Sequence, residues 1–384
     1  MAEPNILVVD DSGFNRLLLK RRLAELGYPE PVMAENGRLG LEAIEAQRFD
    51  AVLLDLEMPE LDGIGVLEAL RGRADAPPVI VISALTEMTG VIRCIELGAE
   101  DYLPKSFDPP LLRARLAAVL EKKRLRDLAA ERLAALEAEL NSARAAQLSL
   151  VPQDVGRLGS GRVSVAAHME PARQVGGDLF EVMRLDAAHL LFGVADVSGK
   201  GAPAGLTMAR TVGLIRSAAR IAIGRGEVPS PATLMEMAND DLSTDNPDMT
   251  FVTALLGVVN TETGQCRICV AGHEAPFIQA AGGPRAMSGF ASNPAMGVMD
   301  GLTYREGELT LAPGETLVLF TDGVSEAESP EADFYGRERL SGAIAGAGDA
   351  APGVLLTAIL ADMAGFTRDA PQADDVTLLA LRFG

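Results

Sequence analysis

Short apolar runs alternate with segments of helical spacing through residues 1 to about 120. Ile6-Leu7-Val8-Val9, Val52-Leu53-Leu54 and Val79-Ile80-Val81-Ile82 read as buried strands. Leu17, Leu18, Arg21, Leu23 and Leu26 space as a helix closed by Gly27, and residues 91–97 as another stopped by Gly98. Tyr102-Leu103-Pro104-Lys105 and a helix from about Pro109 follow. This alternation predicts a doubly wound α/β domain, a parallel sheet with helices on both faces. Such sheets carry their sites at the carboxyl ends of the strands, where Asp10, Asp11, Asp55, Ser83 and Lys105 would meet.

Residues 111–150 contain no Gly and no Pro and are rich in Ala, Leu, Glu, Lys and Arg, which predicts one long helix. Leu133, Leu136, Leu140, Ala143 and Gln147 follow a three-four spacing, a coiled-coil seam. Leu125 and Leu128 begin another, and the five-residue step from Leu128 to Leu133 breaks the register. A stripe this long needs a second surface, so the pattern predicts a parallel homodimer through a helical linker over 121–150. The break makes a movable joint between domains.

After Val151-Pro152 the pattern changes to short strands and Gly-rich turns over 151–384. Residues 162–168, 190–195, 317–320 and 376–381 read as strands, and 204–223 and 231–242 as helices. Residues 251–260 and 265–271 form a hairpin turning at Thr261-Glu262-Thr263-Gly264. Many strands with grouped helices predict an α+β sandwich.

The chemistry of this half centres on Asp196, which ends the apolar run Leu190-Leu191-Phe192-Gly193-Val194-Ala195 and precedes a glycine turn. Alone, that is as well read as a strand followed by an acidic turn. Gly176-Gly177-Asp178 lies upstream, Leu317-Val318-Leu319-Phe320-Thr321-Asp322-Gly323 is a second apolar run ending near Asp-Gly, and Ala373-Asp374-Asp375-Val376 puts two acids just before a third. Carboxylates at several strand ends, without His or Cys among them, suit hard cations such as Mg2+ or Mn2+. In the first domain, three crowded carboxylates also call for a divalent cation. An aspartate beside it can attack a phosphoryl group, and a lysine and a hydroxyl can hold the transferred oxygens.

The 384 residues allow two or three domains, and a hydrophobic fraction of 48% supports a sizeable core. A net charge of -20 disfavours nucleic acid or an anionic membrane as partner. No uncharged apolar run reaches the ~18 residues of a membrane span, and Met1-Ala2-Glu3-Pro4-Asn5 lacks a basic start, so a cytoplasmic protein is expected. Of the three cysteines, Cys266 and Cys269 are spaced as Cys-x-x-Cys. Three apart in a strand they point to opposite faces, and no second pair completes a zinc site, so packing is expected.

The first 120 residues resemble the response-regulator receiver family. The resemblance implies that Asp55 is the phosphoacceptor, that Asp10 and Asp11 bind one Mg2+ together with the backbone of Glu57, and that Ser83, Tyr102 and Lys105 are switch and phosphate-contacting positions. Lys105-Ser106 departs from the usual Lys-Pro. The remainder resembles the metal-dependent protein phosphatases, in the bacterial branch typified by SpoIIE and RsbU. Five motifs in order carry this: Gln174-Val175-Gly176-Gly177-Asp178, Ala195-Asp196-Val197-Ser198-Gly199-Lys200-Gly201, Ala271-Gly272-His273-Glu274-Ala275-Pro276, Thr321-Asp322-Gly323-Val324-Ser325-Glu326 and Ala373-Asp374-Asp375-Val376-Thr377.

This second resemblance implies paired β-sheets flanked by helices and two Mg2+ or Mn2+ ions. Asp196 would bridge them, Asp178 and the Val197 carbonyl would hold one, and Asp322 and Asp374 the other. Glu181 stands where the branch often has Asp; it keeps the charge and adds a methylene. Lys200 and His273 are expected to be structural. The implied function is a response regulator, phosphorylated by a histidine kinase, whose output is a serine/threonine phosphatase acting on a phosphorylated anti-sigma-factor antagonist of the STAS type. The alternative from another class is a phosphorylation-gated binding protein with a catalytically weak phosphatase-like domain. A DNA-binding output would need a basic recognition helix, and the second half has none.

Overall fold

A computed structural model describes residues 3–84, 88–159 and 161–384, in two compact units, Met1–Leu136 and Glu137–Gly384. The first unit runs β1 (Ile6–Val9), α1 (Gly13–Glu25), β2 (Val32–Ala34), α2 (Gly37–Ala46), β3 (Ala51–Asp55), α3 (Gly63–Leu70), β4 (Val79–Ser83), α4 (Met88–Glu96), β5 (Asp101–Pro104) and α5 (Pro109–Leu148). All strands are parallel, in the order β2-β1-β3-β4-β5. Side-chain alternation splits the core in two. Ile6, Val8, Leu53, Ile80 and Ile82 face Leu19 and Leu23 of α1 and Leu112 and Leu116 of α5. Leu7, Val9, Val52, Leu54, Val79 and Val81 face Val66, Leu67 and Leu70 of α3 and Cys94 of α4.

The expected doubly wound domain is therefore present, and the long helix is continuous from Pro109 to Leu148. Leu112, Leu116 and Val119 at its start are buried, whereas Leu125, Leu133, Leu136 and Leu140 are exposed. The division between the units falls inside this helix, between Leu136 and Glu137. Among the described residues, no helix is long and apolar enough to cross a membrane.

The second unit runs β6 (Val163–Glu170), β7 (Leu179–Arg184), β8 (His189–Val197), α6 (Ala202–Gly224), α7 (Pro231–Ser243), β9 (Val252–Asn260), β10 (Gln265–Ala271), β11 (Phe277–Ala280), β12 (Gly283–Ala286), β13 (Glu306–Thr310), β14 (Thr316–Phe320), α8 (Asp322–Ser325), α9 (Gly336–Ala347), α10 (Pro352–Thr367) and β15 (Val376–Phe383). Two antiparallel sheets, β13-β10-β9-β8-β7 and β12-β11-β14-β15-β6, form the expected sandwich. In the second sheet Leu317, Leu319, Leu379, Leu381 and Phe383 join the large core shared with the first sheet. Their alternates Val318, Phe320, Leu378 and Ala380 pack with Leu340 and Ile344 of α9 and Leu355 and Ile359 of α10. Helices α6 and α7 bring Met208, Val212, Ile215, Leu234 and Met235 into the core of the first sheet. Cys266 and Cys269 are free, buried thiols in β10, both pushed by burial up to about 12.

Candidate functional site

At the carboxyl ends of the parallel strands, Asp10, Asp11 and Asp55 bring carboxylate oxygens within 4.8 Å of one another. Asp10 follows β1 and Asp55 ends β3, each almost wholly buried. Asp10 accepts from the Ser12 amide at 2.9 Å and from Asn15 Nδ2 at 3.1 and 3.2 Å. Burial raises its carboxyl above the ordinary range, and the neighbouring Asp55 adds to this. Lys105 Nζ lies 2.5 Å from Asp55 Oδ2. Burial opposes the Lys105 charge, but Asp55 outweighs it and holds the ammonium above its usual value. The Glu57 amide lies 3.4 Å from Asp55 Oδ1. Tyr102 donates its hydroxyl to the Ser83 carbonyl at 3.2 Å, and the Lys105 amide donates to the same oxygen at 2.9 Å.

The loop after Asp55 is drawn tight. A side-chain carbon at Gly63 would collide with the Asp55 carbonyl, and Asp62 caps α3 by accepting from the Gly65 amide at 2.7 Å. Among the described residues no peptide bond is cis, and Lys105 reaches Asp55 with Ser106 beside it. All the residues expected to meet in this domain come from strand ends on one edge of the sheet.

In the second unit the acids come from four separate segments. Asp178 precedes β7, Asp196 lies near the end of β8, Asp322 follows β14 and Asp374 precedes β15. Asp178 is buried and accepts from Thr321 Oγ1 at 2.7 Å; that hydroxyl in turn accepts from the Thr377 amide at 3.1 Å. Asp196 and Asp178 are near enough for each to influence the other's ionisation. Burial, then Asp322 and Asp374, push Asp196 up to about 7. Burial and Asp196 raise Asp178 well above the carboxylate range, and burial and Asp374 raise Asp322. Among the described residues, no three of these acids converge within the radius of a single ion as the receiver acids do. The side-chain donor set is all carboxylate, with Asp178 buried and Asp196, Asp322 and Asp374 half-buried, which fits hard divalent cations.

The adjacent acids Asp374 and Asp375 have opposite duties. Asp375 turns inward, accepting from the amides of Ala172 at 2.8 Å and Gly177 at 2.6 Å. A side chain at Gly176 would collide with this carboxylate, and one at Gly177 would come within 2.8 Å of the Val197 carbonyl. The Gly-Gly pair is what lets the two loops touch. Asp374 faces outward, where Lys200 Nζ sits 2.8 Å from its Oδ2 and 2.8 Å from the Ala373 carbonyl. His273 is half-buried, its ring enclosed, with Thr253 Oγ1 at 3.0 Å from Nδ1 and the Phe320 carbonyl 3.0 Å from Nε2. It ties the end of β14 to β9, and burial pushes it down to about 4.

Glu181 is buried in β7 and points to α6, where Arg216 Nε lies 2.6 Å from its Oε2 and Nη2 3.3 Å from Oε1. Its partner is a guanidinium, and it lies outside the acid cluster. Two further groups escaped sequence reasoning. Arg337 ion-pairs with Glu274 at 2.5 Å, donates to the Ala275 carbonyl at 2.7 Å and lies over Phe277 and Phe320. Gln147, near the end of α5, donates to the Gly176 carbonyl at 2.5 Å and accepts from the Gly176 amide at 3.0 Å. Its place in the helical seam is a signal for packing, and nothing in it points to Gly176.

Residues 6–117 match the response regulator receiver domain, and residues 186–384, more than half of the chain, match Stage II sporulation protein E (SpoIIE). Protein IcfG of Synechocystis sp. is 29% identical over 269 residues, 63% of this chain and 41% of that protein. A probable transcriptional regulator, ycf27 of Porphyridium aerugineum, is 39% identical over 122 residues, 32% of this chain and 50% of that one. The chain thus spans half or less of these relatives' lengths. The SiaA-PP2C domain of Pseudomonas aeruginosa shares the fold of the second unit, with a TM-score of 0.57 at 23% identity, covering 66% of this chain and 99% of that one. A receiver at the front and a PP2C-type phosphatase fold behind it make this chain a response regulator of the SpoIIE family.

Proposed function

We propose that phosphorylation of Asp55 by a histidine kinase controls a metal-dependent serine/threonine phosphatase in residues 151–384. In the receiver, Asp10, Asp11, Asp55 and the Glu57 backbone would hold one Mg2+. An Asp55 oxygen attacks the phosphorus of a phosphohistidine; the new O–P bond forms as the N–P bond breaks. Lys105, now paired with Asp55, is placed to hold a phosphoryl oxygen afterwards. Ser83 and Tyr102 sense the change at the strand end.

In the phosphatase, Asp196 would bridge two Mg2+ or Mn2+ ions, with Asp178 and the Val197 carbonyl on one and Asp322 and Asp374 on the other. Bound there, the ions supply an acidified water as nucleophile and charge for the phosphoryl oxygens. Thr321 fixes the rotamer of Asp178. Lys200 restrains Asp374, and His273, neutral and with both ring nitrogens engaged, takes no part in proton transfer. The observation that carries this reading is that Asp178, Asp196, Asp322 and Asp374, from four separate strand ends, gather in one cluster whose Asp178 is fixed by Thr321.

The route of control is α5. Its exposed leucines favour a parallel coiled-coil homodimer, and Gln147 grips both backbone groups of the residue before Gly177-Asp178. A shift of the helix end would move a ligand loop. The favoured substrate is a phosphorylated STAS-domain anti-sigma-factor antagonist, in the cytoplasm. The test is Mn2+-dependent phosphate release from such a phosphoserine protein. Asp196→Asn should lower turnover by about 100-fold or more with the fold retained; unchanged turnover refutes the site.

A further inference from the structure

Beside the acid cluster, a cleft of about 380 Å3 runs between α10 and the edge of β15. Leu360 and Met363 of α10, Ala327 after α8 and Val376 of β15 give it apolar walls. One end is closed by Asp374 and by Gly323, the neighbour of Asp322. Glu170 and Glu328 stand exposed at its rim. Among the described residues the Glu170 carboxylate pairs only with His168, at 3.5 Å, and no ion pair is formed by Glu328. All four apolar walls belong to or pack against the outer core of the second sheet, so the cleft is held open by packed elements and not by a surface loop.

On the phosphatase reading, a phosphoserine delivered to Asp196, Asp322 and Asp374 brings its flanking chain across this cleft. An extended chain advances about 3.3 Å per residue, so only near neighbours of the phosphoserine can reach it. We propose that the cleft receives an apolar side chain of the protein substrate, within about three residues of the phosphoserine, on a segment whose adjacent charge is basic. The apolar walls select the side chain, and the exposed rim carboxylates, neither of them paired with Lys or Arg, select the charge. A small aryl phosphate has no such side chain and does not use the cleft.

The experiment compares full-length wild type with Ala364→Trp, which fills the cleft mouth from an exposed position, and Met363→Gln, which makes a wall polar. Substrates are p-nitrophenyl phosphate and phosphoserine heptapeptides with Leu or Ser at each flanking position, all with Mn2+, with and without beryllofluoride. The wild type should favour Leu at one or two positions by about tenfold in kcat/KM. Both variants should lose that preference while p-nitrophenyl phosphate turnover stays within about twofold. Equal rates for Leu and Ser peptides, or a preference surviving both variants, overturns the inference alone. Loss of aryl phosphate turnover in both variants also overturns it, because the cleft would then belong to the metal site. Absence of Mn2+-dependent aryl phosphate turnover in the wild type overturns the phosphatase reading and this inference with it.

Discussion

Replacing Arg216 tests the reading of Glu181 as a structural acid. Glu181 is 2% exposed and the Arg216 side chain 27%. Burial raises the Glu181 carboxyl above its ordinary value, and Arg216 opposes that rise without cancelling it. Arg216→Met therefore strands a buried carboxylate, a change that costs about 3–5 kcal/mol in a fully enclosed pair. The guanidinium keeps a quarter of its surface in water, so the lower end, about 3 kcal/mol, is expected. In a domain of this size that lowers the midpoint by about 6–12 °C. Calorimetry of the full chain reads it, with the receiver transition as internal reference. The double variant Glu181→Leu/Arg216→Met should lie within about 1 kcal/mol of wild type, because neither charge is then buried. The sign with pH follows. A carboxyl with a raised folded value binds protons more readily folded than unfolded, so acid relieves the penalty. The Arg216→Met deficit should shrink as pH falls from neutral toward the ordinary carboxylate range. A single variant that melts with wild type, a double variant as weak as the single, or a deficit that grows in acid would each refute the pairing argument. Turnover should survive the double variant in either case, since Glu181 is outside the acid cluster.

Other outcomes follow from the same geometry. His273 is pushed from 6.5 down to about 4, so it contributes stability in full above pH 6.5 that is lost as pH falls toward 4. The difference in stability between wild type and His273→Gln should shrink by about 3 kcal/mol over that window, measured by denaturant titration; a flat difference counts against the buried neutral imidazole. Gly323→Ala would drive a methyl into the Asp375 carbonyl, costing about 1–3 kcal/mol and most of the turnover, read by thermal melting and phosphate release. Beryllofluoride should change wild-type turnover about fivefold or more and leave Asp55→Asn unchanged. Gln147→Leu, which forfeits both hydrogen bonds to Gly176, should keep basal turnover within about tenfold and lose the response to beryllofluoride.

The architecture was readable wherever burial imposes a period. β1, β3 and β4 are apolar runs because both sheet faces are covered, and the acids that end them announce the site. The same logic located β8, β14 and β15 and the helices α6 and α7. Elements without a clean period went unseen. β7 carries Glu181 in the middle of its apolar run, and only Arg216, thirty-five residues later, makes that burial tolerable. β2, β11 and β12 are three or four residues long, too short to show alternation. α9 is Gly- and Ala-rich, with only Leu340 and Ile344 as large apolar residues on its inner face. At the site, Asp374 and Asp375 are chemically identical in sequence. Which one turns inward depends on the amides of Ala172 and Gly177, some two hundred residues away. Arg337 and Gln147 were silent for the same reason: what they touch is set by tertiary contact, not spacing.

β15 pairs β6 along its whole length on one side and β14 along residues 378–382 on the other. The sheet that carries Asp322 and Asp374 is thus two separate pieces until residues 376–383 insert between them. On the ribosome, β6 must wait for more than two hundred residues of synthesis before its neighbour exists, a contact of the most non-local kind. The receiver, whose strands all pair within residues 1–104, can be complete while the second unit still lacks its assembled acid cluster. A protein released before that insertion would carry a finished receiver and an acid cluster not yet assembled.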